Sequence, residues 1–183
     1  INESRIDSIV IGPGLDISGK SILKIKSALK TNKRIVLDAG AISCFKNKLE
    51  IFVKILSGKD VIITPHEGEL KSILPNLTGN LISKALKAAK ILNTIVVLKG
   101  ATTIIASPNN KAFVNTAGAK WLATAGSGDV LAGIIGGLLS NKMETFYAAA
   151  YGVWLHSESG KYLGPGLIAD DIPKILPKIL KNV

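Results

Sequence analysis

The sequence contains a single cysteine, Cys44, and only two histidines, His66 and His156. One cysteine cannot form an internal disulfide, so the composition predicts a protein of a reducing compartment, the cytoplasm. The same scarcity argues against a zinc site, because such sites are built from several Cys and His ligands. No run reaches the roughly 18 apolar residues of a membrane-spanning helix, and we predict no membrane partner.

Acidic residues are also few, with 13 Asp and Glu against 23 Lys and Arg and a net charge of +10. A strongly basic chain raises the question of nucleic-acid binding. The lysines, however, are spread along helix-like segments and are not interleaved with aromatic residues, so solvated helix faces explain most of them. We therefore predict no nucleic-acid partner, although the charge would attract anionic nucleotides. A basic nucleic-acid binder is kept as a third hypothesis, which a salt-dependent gel shift would test.

The 183 residues, 47% hydrophobic and 5% aromatic, suit one globular α/β domain spanning 1–183. Apolar runs alternate with helix-like segments, which predicts a doubly wound, mostly parallel sheet flanked by helices, with a β-hairpin at its edge. The predicted strands cover 6–11, 34–38, 61–64 and 94–98, and the hairpin covers 103–106 and 112–115. The predicted helices cover 18–29, 49–56, a segment up to Leu74, 82–92, the stretch after Gly126, 144–163, and a last helix capped by Asp170 or Asp171.

The chain is organised around the small-residue loop Thr124-Ala125-Gly126-Ser127-Gly128, which leads into an apolar helix. Free N–H groups and the positive end of the helix dipole make such a helix start a plausible phosphate site. Asp129 then falls in the first helical turn. A bland acid there would stabilise the dipole, whereas an acid beside a phosphate takes a proton from the reacting group or holds a metal. We favour a chemical role for Asp129.

Polar residues follow the predicted strands where the carboxyl ends of a parallel sheet would meet. Gly14 lies in a glycine turn that is either a ligand loop or a plain connection. Asp38 would hold a metal or water, or cap the next turn. Lys99, followed by glycine, can meet a phosphate as a point charge.

His66 ends the third predicted strand and is accompanied by two acids, Glu67 and Glu69. We favour a site role for His66, whereas the acids fit either a site or the first turn of a helix. His156 lies within a helical pattern beside Gly152, so it is interpreted as a core or helix-contact residue.

Five segments occur in an order and at a spacing that resemble one family: residues 11–15, 36–39, 63–69, 98–103 and 123–133. The loop that opens a helix with Gly-Ser-Gly-Asp resembles that of ribokinase-like small-molecule kinases. The full set is more similar to their ADP/ATP-dependent NAD(P)H-hydrate dehydratase branch. That family repairs hydrated NADH and NADPH, and uses the terminal phosphoryl group of ADP or ATP to remove the added hydroxyl.

The resemblance implies roles for individual residues. Asp129 would be the base that takes the proton of the substrate hydroxyl, and Mg²⁺ would bridge the nucleotide phosphates. Backbone N–H groups of Gly126, Ser127 and Gly128 would stabilise the transferring phosphoryl group. The substrate would meet Gly14, His66 and Asp129. The nucleotide would be bound by Lys99, Gly100, Ala101, Thr102, Thr103 and Gly128.

The chain departs from the family pattern at Ala119-Lys120-Trp121, where Asn-Pro-Gly is usual, and at Asp16, where a further glycine is usual. The resemblance also implies a segment before the first strand, so we expect an N-terminally incomplete domain. A homo-oligomer, or a partner chain that supplies this segment, would complete it. Two alternatives stay open: a ribokinase-like kinase of a small alcohol or vitamin precursor, and a non-catalytic nucleotide-binding remnant.

Overall fold

A computed structural model describes residues 5–181, which form six strands and eight α-helices. The strands are β1 (Ser8–Ile11), β2 (Arg34–Leu37), β3 (Val61–Ile63), β4 (Ile95–Leu98), β5 (Thr103–Ala106) and β6 (Ala112–Asn115). The helices are α1 (Gly19–Leu29), α2 (Gly40–Ser43), α3 (Leu49–Leu56), α4 (Glu67–Ile73), α5 (Leu81–Leu92), α6 (Ser127–Ser140), α7 (Thr145–Leu163) and α8 (Asp171–Leu180).

The strands form one sheet in the order β1-β2-β3-β4-β5-β6. The first four are parallel, and β5 and β6 add an antiparallel hairpin at one edge. This confirms the predicted α/β fold with a hairpin edge. Because successive parallel strands are added in one direction, right-handed crossovers place their connecting helices on the same face.

The other face is covered by the two long helices that follow the hairpin, so helices flank the sheet on both sides. Strand side chains alternate between the two resulting cores, as the two-residue period of a strand requires. In β2, Ile35 and Leu37 join the core under α1, α3 and α5, while Val36 joins the core under α6 and α7. Both faces are buried, which explains the nearly continuous apolar runs of β2 to β4.

The parallel strands all end at one edge of the sheet, and backbone hydrogen bonds continue past their ends. The N–H of Asp38 donates to the Ile11 carbonyl, and the N–H of Lys99 donates to the Pro65 carbonyl. His66 and Lys99 still form a parallel bridge there. This edge therefore presents Asp38, His66 and Lys99 from rigid backbone, as the sequence predicted from the strand ends.

Over residues 5–181 we find no helix with the length and apolarity that a bilayer crossing requires.

Candidate functional site

The start of α6 is built from small residues, and its backbone geometry suits an anion. Gly126 has a left-handed backbone (φ 82°) at the N-cap position, a conformation that glycine adopts without strain. Having no side chain, it cannot cap the helix itself. The N–H of Ser127 donates to the Thr124 carbonyl at 3.3 Å, whereas the N–H groups of Gly128 and Asp129 have no partner within the helix and are available to an anion.

A lysine ammonium lies beside this helix start. The Nζ of Lys99, from the end of β4, is 3.4 Å from the position that a Cβ on Gly128 would occupy. The same Nζ donates to Oδ1 of Asp38 at 2.6 Å. The fold thus combines the helix dipole with a fixed positive charge, and both favour a phosphate.

Asp129 and Ser127 occupy the same helical turn but face different surroundings. Asp129 is exposed, whereas Ser127 is buried. The Asp129 carboxylate is therefore accessible to a ligand bound at the start of α6. Ser127 faces the protein interior, where its hydroxyl is 2.9 Å from Nε2 of His156.

His156, on α7, connects the anion loop to the core. Its Nε2 also lies 3.0 Å from the Ser127 carbonyl, and the side chain is buried. The pKa of His156 is lowered from 6.5 to about 4, chiefly by burial and to a smaller extent by the positive charge of Lys99, while the hydrogen bond to the Ser127 backbone acts in the opposite direction. The histidine is therefore neutral at neutral pH, and its prediction as a helix-contact residue is confirmed.

The buried His156 predicts a loss of stability in acid. Because its folded-state pKa is lowered from 6.5 to about 4, the unfolded chain binds the proton first. The stabilisation is complete above pH 6.5 and is lost as the pH falls towards 4, by about 3 kcal/mol. Urea unfolding at pH 7 and at pH 4 measures this loss. The unfolding free energy should fall between the two pH values by about 3 kcal/mol more in the parent than in His156→Gln. Equal falls would contradict the assignment.

The predicted nucleotide segment, residues 99–103, forms a tight connection between β4 and β5. The Thr103 hydroxyl donates to the Gly100 carbonyl at 3.1 Å and accepts from the Gly100 N–H at 3.4 Å. Gly100 and Ala101 are exposed, and Thr102 is half-buried. The segment is thus preshaped and accessible, next to the ammonium of Lys99.

His66 has a structural function that residue type alone did not reveal. Its Nδ1 accepts from the N–H groups of Gly68 and Glu69, at 3.0 and 3.3 Å. The Glu69 carboxylate in turn accepts from the His66 N–H at 2.9 Å, which completes a capping box for α4. The side chain is 60% exposed, and its Nε2 lies 3.7 Å from Oε2 of Glu69.

The two acids beside His66 are accounted for by local structure. Glu69 belongs to the capping box, and Glu67 forms an ion pair with Lys84 at 2.8 Å. A hydrogen bond from Lys84 lowers the pKa of the Glu67 carboxyl below its usual value. Of the alternatives left open by the sequence, the structure therefore favours first-turn helix acids.

The glycine turn after β1 contains Gly14, which has a left-handed backbone (φ 68°) and is exposed. A Cβ at Gly14 would meet nothing within 4 Å, so the space around it is open. Asp16, one of the two departures, accepts from the Ser21 hydroxyl at 2.6 Å near the start of α1, and this bond lowers the pKa of its carboxyl. Ser18 is the N-cap of α1, and its hydroxyl accepts from the Ser21 N–H.

The other departure, Ala119-Lys120-Trp121, leads into a 3-10 turn over Lys120–Leu122. The turn packs closely on α7, because a Cβ at Gly160 would lie 2.6 Å from Leu122 and 2.9 Å from Ala119. The segment therefore supports the approach to the loop through packing against α7.

Metal-ligating side chains are sparse. Within residues 5–181, no group of three or more His, Cys, Asp or Glu side chains could hold a metal ion.

Comparisons with known proteins identify the family of this chain. A family model described as NAD(P)H-hydrate dehydratase matches residues 1–178. The chain belongs to the NAD(P)H-hydrate dehydratase family. An ADP-dependent (S)-NAD(P)H-hydrate dehydratase from Xanthomonas campestris pv. campestris is 32% identical over 190 residues, covering 98% of this chain and 63% of that protein.

Solved structures extend the likeness to the fold. An ADP/ATP-dependent NAD(P)H-hydrate dehydratase from Bacillus subtilis, co-crystallised with ATP/Mg²⁺ and soaked with CoA, has a TM-score of 0.84 at 29% identity, covering 96% of this chain and 66% of that one. A ribokinase-like superfamily protein from Enterococcus faecalis has a TM-score of 0.82 at 28% identity, with coverages of 96% and 63%. The fold is therefore ribokinase-like, and the chain spans less than two thirds of these relatives.

Proposed function

We propose that this domain is a lyase that dehydrates hydrated NADH or NADPH, NAD(P)HX, to NAD(P)H at the expense of ADP or ATP. The observation that carries the proposal is the start of α6, where Gly126 has a left-handed backbone and the ammonium of Lys99 lies beside Gly128. The exposed Asp129 stands in the same helical turn. Family membership supplies the substrate class.

The chemistry needs a phosphoryl transfer because a hydroxyl is a poor leaving group and phosphate is a good one. The carboxylate of Asp129 takes the proton of the hydrate's hydroxyl group. The hydroxyl oxygen at the same time bonds to the terminal phosphorus of the nucleotide. The bond from that phosphorus to the nucleotide breaks, which leaves AMP from ADP or ADP from ATP. The phosphate ester then loses phosphate, and a proton leaves the neighbouring ring carbon to restore the double bond.

The chain's own groups stabilise the charge of the transferring group. The N–H groups of Gly126, Ser127 and Gly128 and the ammonium of Lys99 would stabilise the negative charge of that group. The N–H of Ser127, which donates to the Thr124 carbonyl at 3.3 Å, would exchange that partner for the phosphate. Residues 99–103 and Gly128 would bind the nucleotide, while Gly14, His66 and Asp129 would bind the hydrated nicotinamide. Mg²⁺ bound to the nucleotide phosphates would supply additional charge neutralisation.

The surroundings of the enzyme are also a proposal. A single buried cysteine fits a reducing compartment, and on this ground we propose the cytoplasm.

Among the described residues, β1 pairs only with β2, so its other edge is open to a further strand. That the domain is incomplete at its N-terminus, and that self-association or a partner chain completes it, stays a prediction.

Product analysis separates the proposed reaction from a kinase reaction. The purified chain would be given NAD(P)HX, Mg²⁺ and either ADP or ATP, with phosphorus NMR as the readout. We expect inorganic phosphate and NAD(P)H in equal amounts, one per nucleotide consumed. A stable phosphorylated alcohol would instead support the kinase hypothesis, and nucleotide binding without any turnover would support the remnant hypothesis.

A further inference from the structure

The backbone of Asp38, whose carboxylate is buried, is held by hydrogen bonds and close packing. Its N–H donates to the Ile11 carbonyl, and its carbonyl accepts from Ala41. Gly12 lies so close that a Cβ there would be 1.7 Å from the Asp38 carbonyl oxygen. The residue is only 1% exposed, so the direction of its side chain is fixed by the surrounding protein.

Only one of the two oxygens of this carboxylate accepts a hydrogen bond. Oδ1 accepts from Lys99 Nζ at 2.6 Å, while Oδ2 is buried and has no hydrogen-bond partner among residues 5–181. An unpartnered buried carboxylate oxygen costs free energy, and a buried ion pair often fails to repay its desolvation. The pair is therefore poorly explained as a device for stability alone.

The position of the pair suggests what it does instead. A lysine side chain has four rotatable bonds and loses much conformational freedom when it is ordered. Asp38 holds the end of this chain against Gly128, where Nζ is 3.4 Å from the position of a Cβ. The side chain of Lys99 is thus ordered before any ligand arrives. The conformational entropy of ordering it therefore does not reduce the affinity for a ligand that contacts the ammonium.

We propose that Asp38 is a positioning residue that preorganises Lys99 for the terminal phosphates of the nucleotide. It acts only through Lys99 and touches neither nucleotide nor substrate. The inference rests on the proposed function, since it assigns a residue to the nucleotide-phosphate site.

A double-mutant cycle on nucleotide affinity tests the inference. The variants are Asp38→Asn, Lys99→Met and the double variant, and the measurement is calorimetric binding of ADP and of ATP with Mg²⁺. We expect Asp38→Asn to weaken binding about tenfold and Lys99→Met about thirtyfold, in the range of a lost charge-assisted contact. The double variant should bind about as weakly as Lys99→Met, because Asp38 has no effect without Lys99.

Asp60→Asn is the matched control, because it removes a carboxylate from the exposed ion pair with Arg34 at 3.4 Å, away from the loop. It should leave nucleotide affinity unchanged. Multiplicative losses in the double variant would overturn the role of Asp38 and leave the proposed function standing. Failure of the parent chain to bind either nucleotide would overturn both.

A measurement on the parent protein keeps the inference testable if Asp38→Asn does not fold. Nitrogen-15 NMR of the lysine ammonium groups, without nucleotide, should show slow hydrogen exchange at Lys99 and a coupling across the hydrogen bond to the Asp38 carboxyl carbon. A freely rotating, fast-exchanging Lys99 ammonium that becomes ordered only when nucleotide is added would overturn preorganisation.

Discussion

Asp129→Asn should lower the rate of NAD(P)HX dehydration by about a thousandfold or more, the scale of a lost general base. The asparagine keeps the shape of the side chain but cannot take the hydroxyl proton. Because Asp129 is exposed on the first turn of α6, its replacement should leave the melting temperature almost unchanged. Nucleotide affinity should not fall, since the carboxylate repels rather than holds the phosphates. Steady-state kinetics, calorimetric nucleotide binding and thermal unfolding check the three parts.

The matched control for this change is Asp171→Asn. Asp171 is likewise an acid in the first turn of a helix, and it forms an ion pair with Lys174 at 3.1 Å. If Asp129 did no more than stabilise the helix dipole, Asp129→Asn and Asp171→Asn would have similar, small effects on turnover. Turnover that survives in Asp129→Asn would show that the base has been assigned to the wrong residue.

Gly12→Ala should cost at least about 4 kcal/mol of unfolding free energy, the range of the most damaging single substitutions. Gly12 has φ 137°, and a Cβ there would lie 1.7 Å from the Asp38 carbonyl oxygen. No rotamer change relieves this contact, because the backbone fixes the position of a Cβ and its partner is a backbone oxygen. Chemical denaturation of the parent and the variant measures the loss.

Gly58→Ala separates the clash from ordinary backbone strain. Gly58 also has a positive φ (67°), but a Cβ there would meet nothing within 4 Å. Its replacement should cost only about 1–2 kcal/mol, the penalty for a left-handed backbone. Equal losses for the two variants would mean that the β1 turn does not pack against the end of β2 as described.

The strands and the hairpin were predictable because their signals are local. Apolar runs bounded by glycine, proline and polar residues gave β5 and β6 at their observed bounds, and gave α3 as well. The sequence also predicted that Asp38, His66 and Lys99 lie near one another, because the carboxyl ends of parallel strands lie on the same side of a sheet. These features depend on periodicity and turn residues, which neighbouring positions determine.

The pairings at the site were not predictable in the same way. Asp38 and Lys99 are 61 residues apart, and Ser127 and His156 are 29 apart, so only the assembled fold decides that they meet. His66 shows a different limit. Its spacing to Glu69 matches a capping box. Histidine is an uncommon N-cap, however, so the sequence favoured a site role for His66 over a capping role.

The most direct measurement is the return of reduced-nicotinamide absorbance from purified NAD(P)HX. The chain would be mixed with Mg²⁺ and with ADP, ATP or no nucleotide, and Asp129→Asn would be run in parallel. We predict recovery that requires nucleotide and is lost in the variant. No recovery with either nucleotide, under conditions in which the Bacillus subtilis relative restores the absorbance, would contradict the proposal that this chain is a dehydratase.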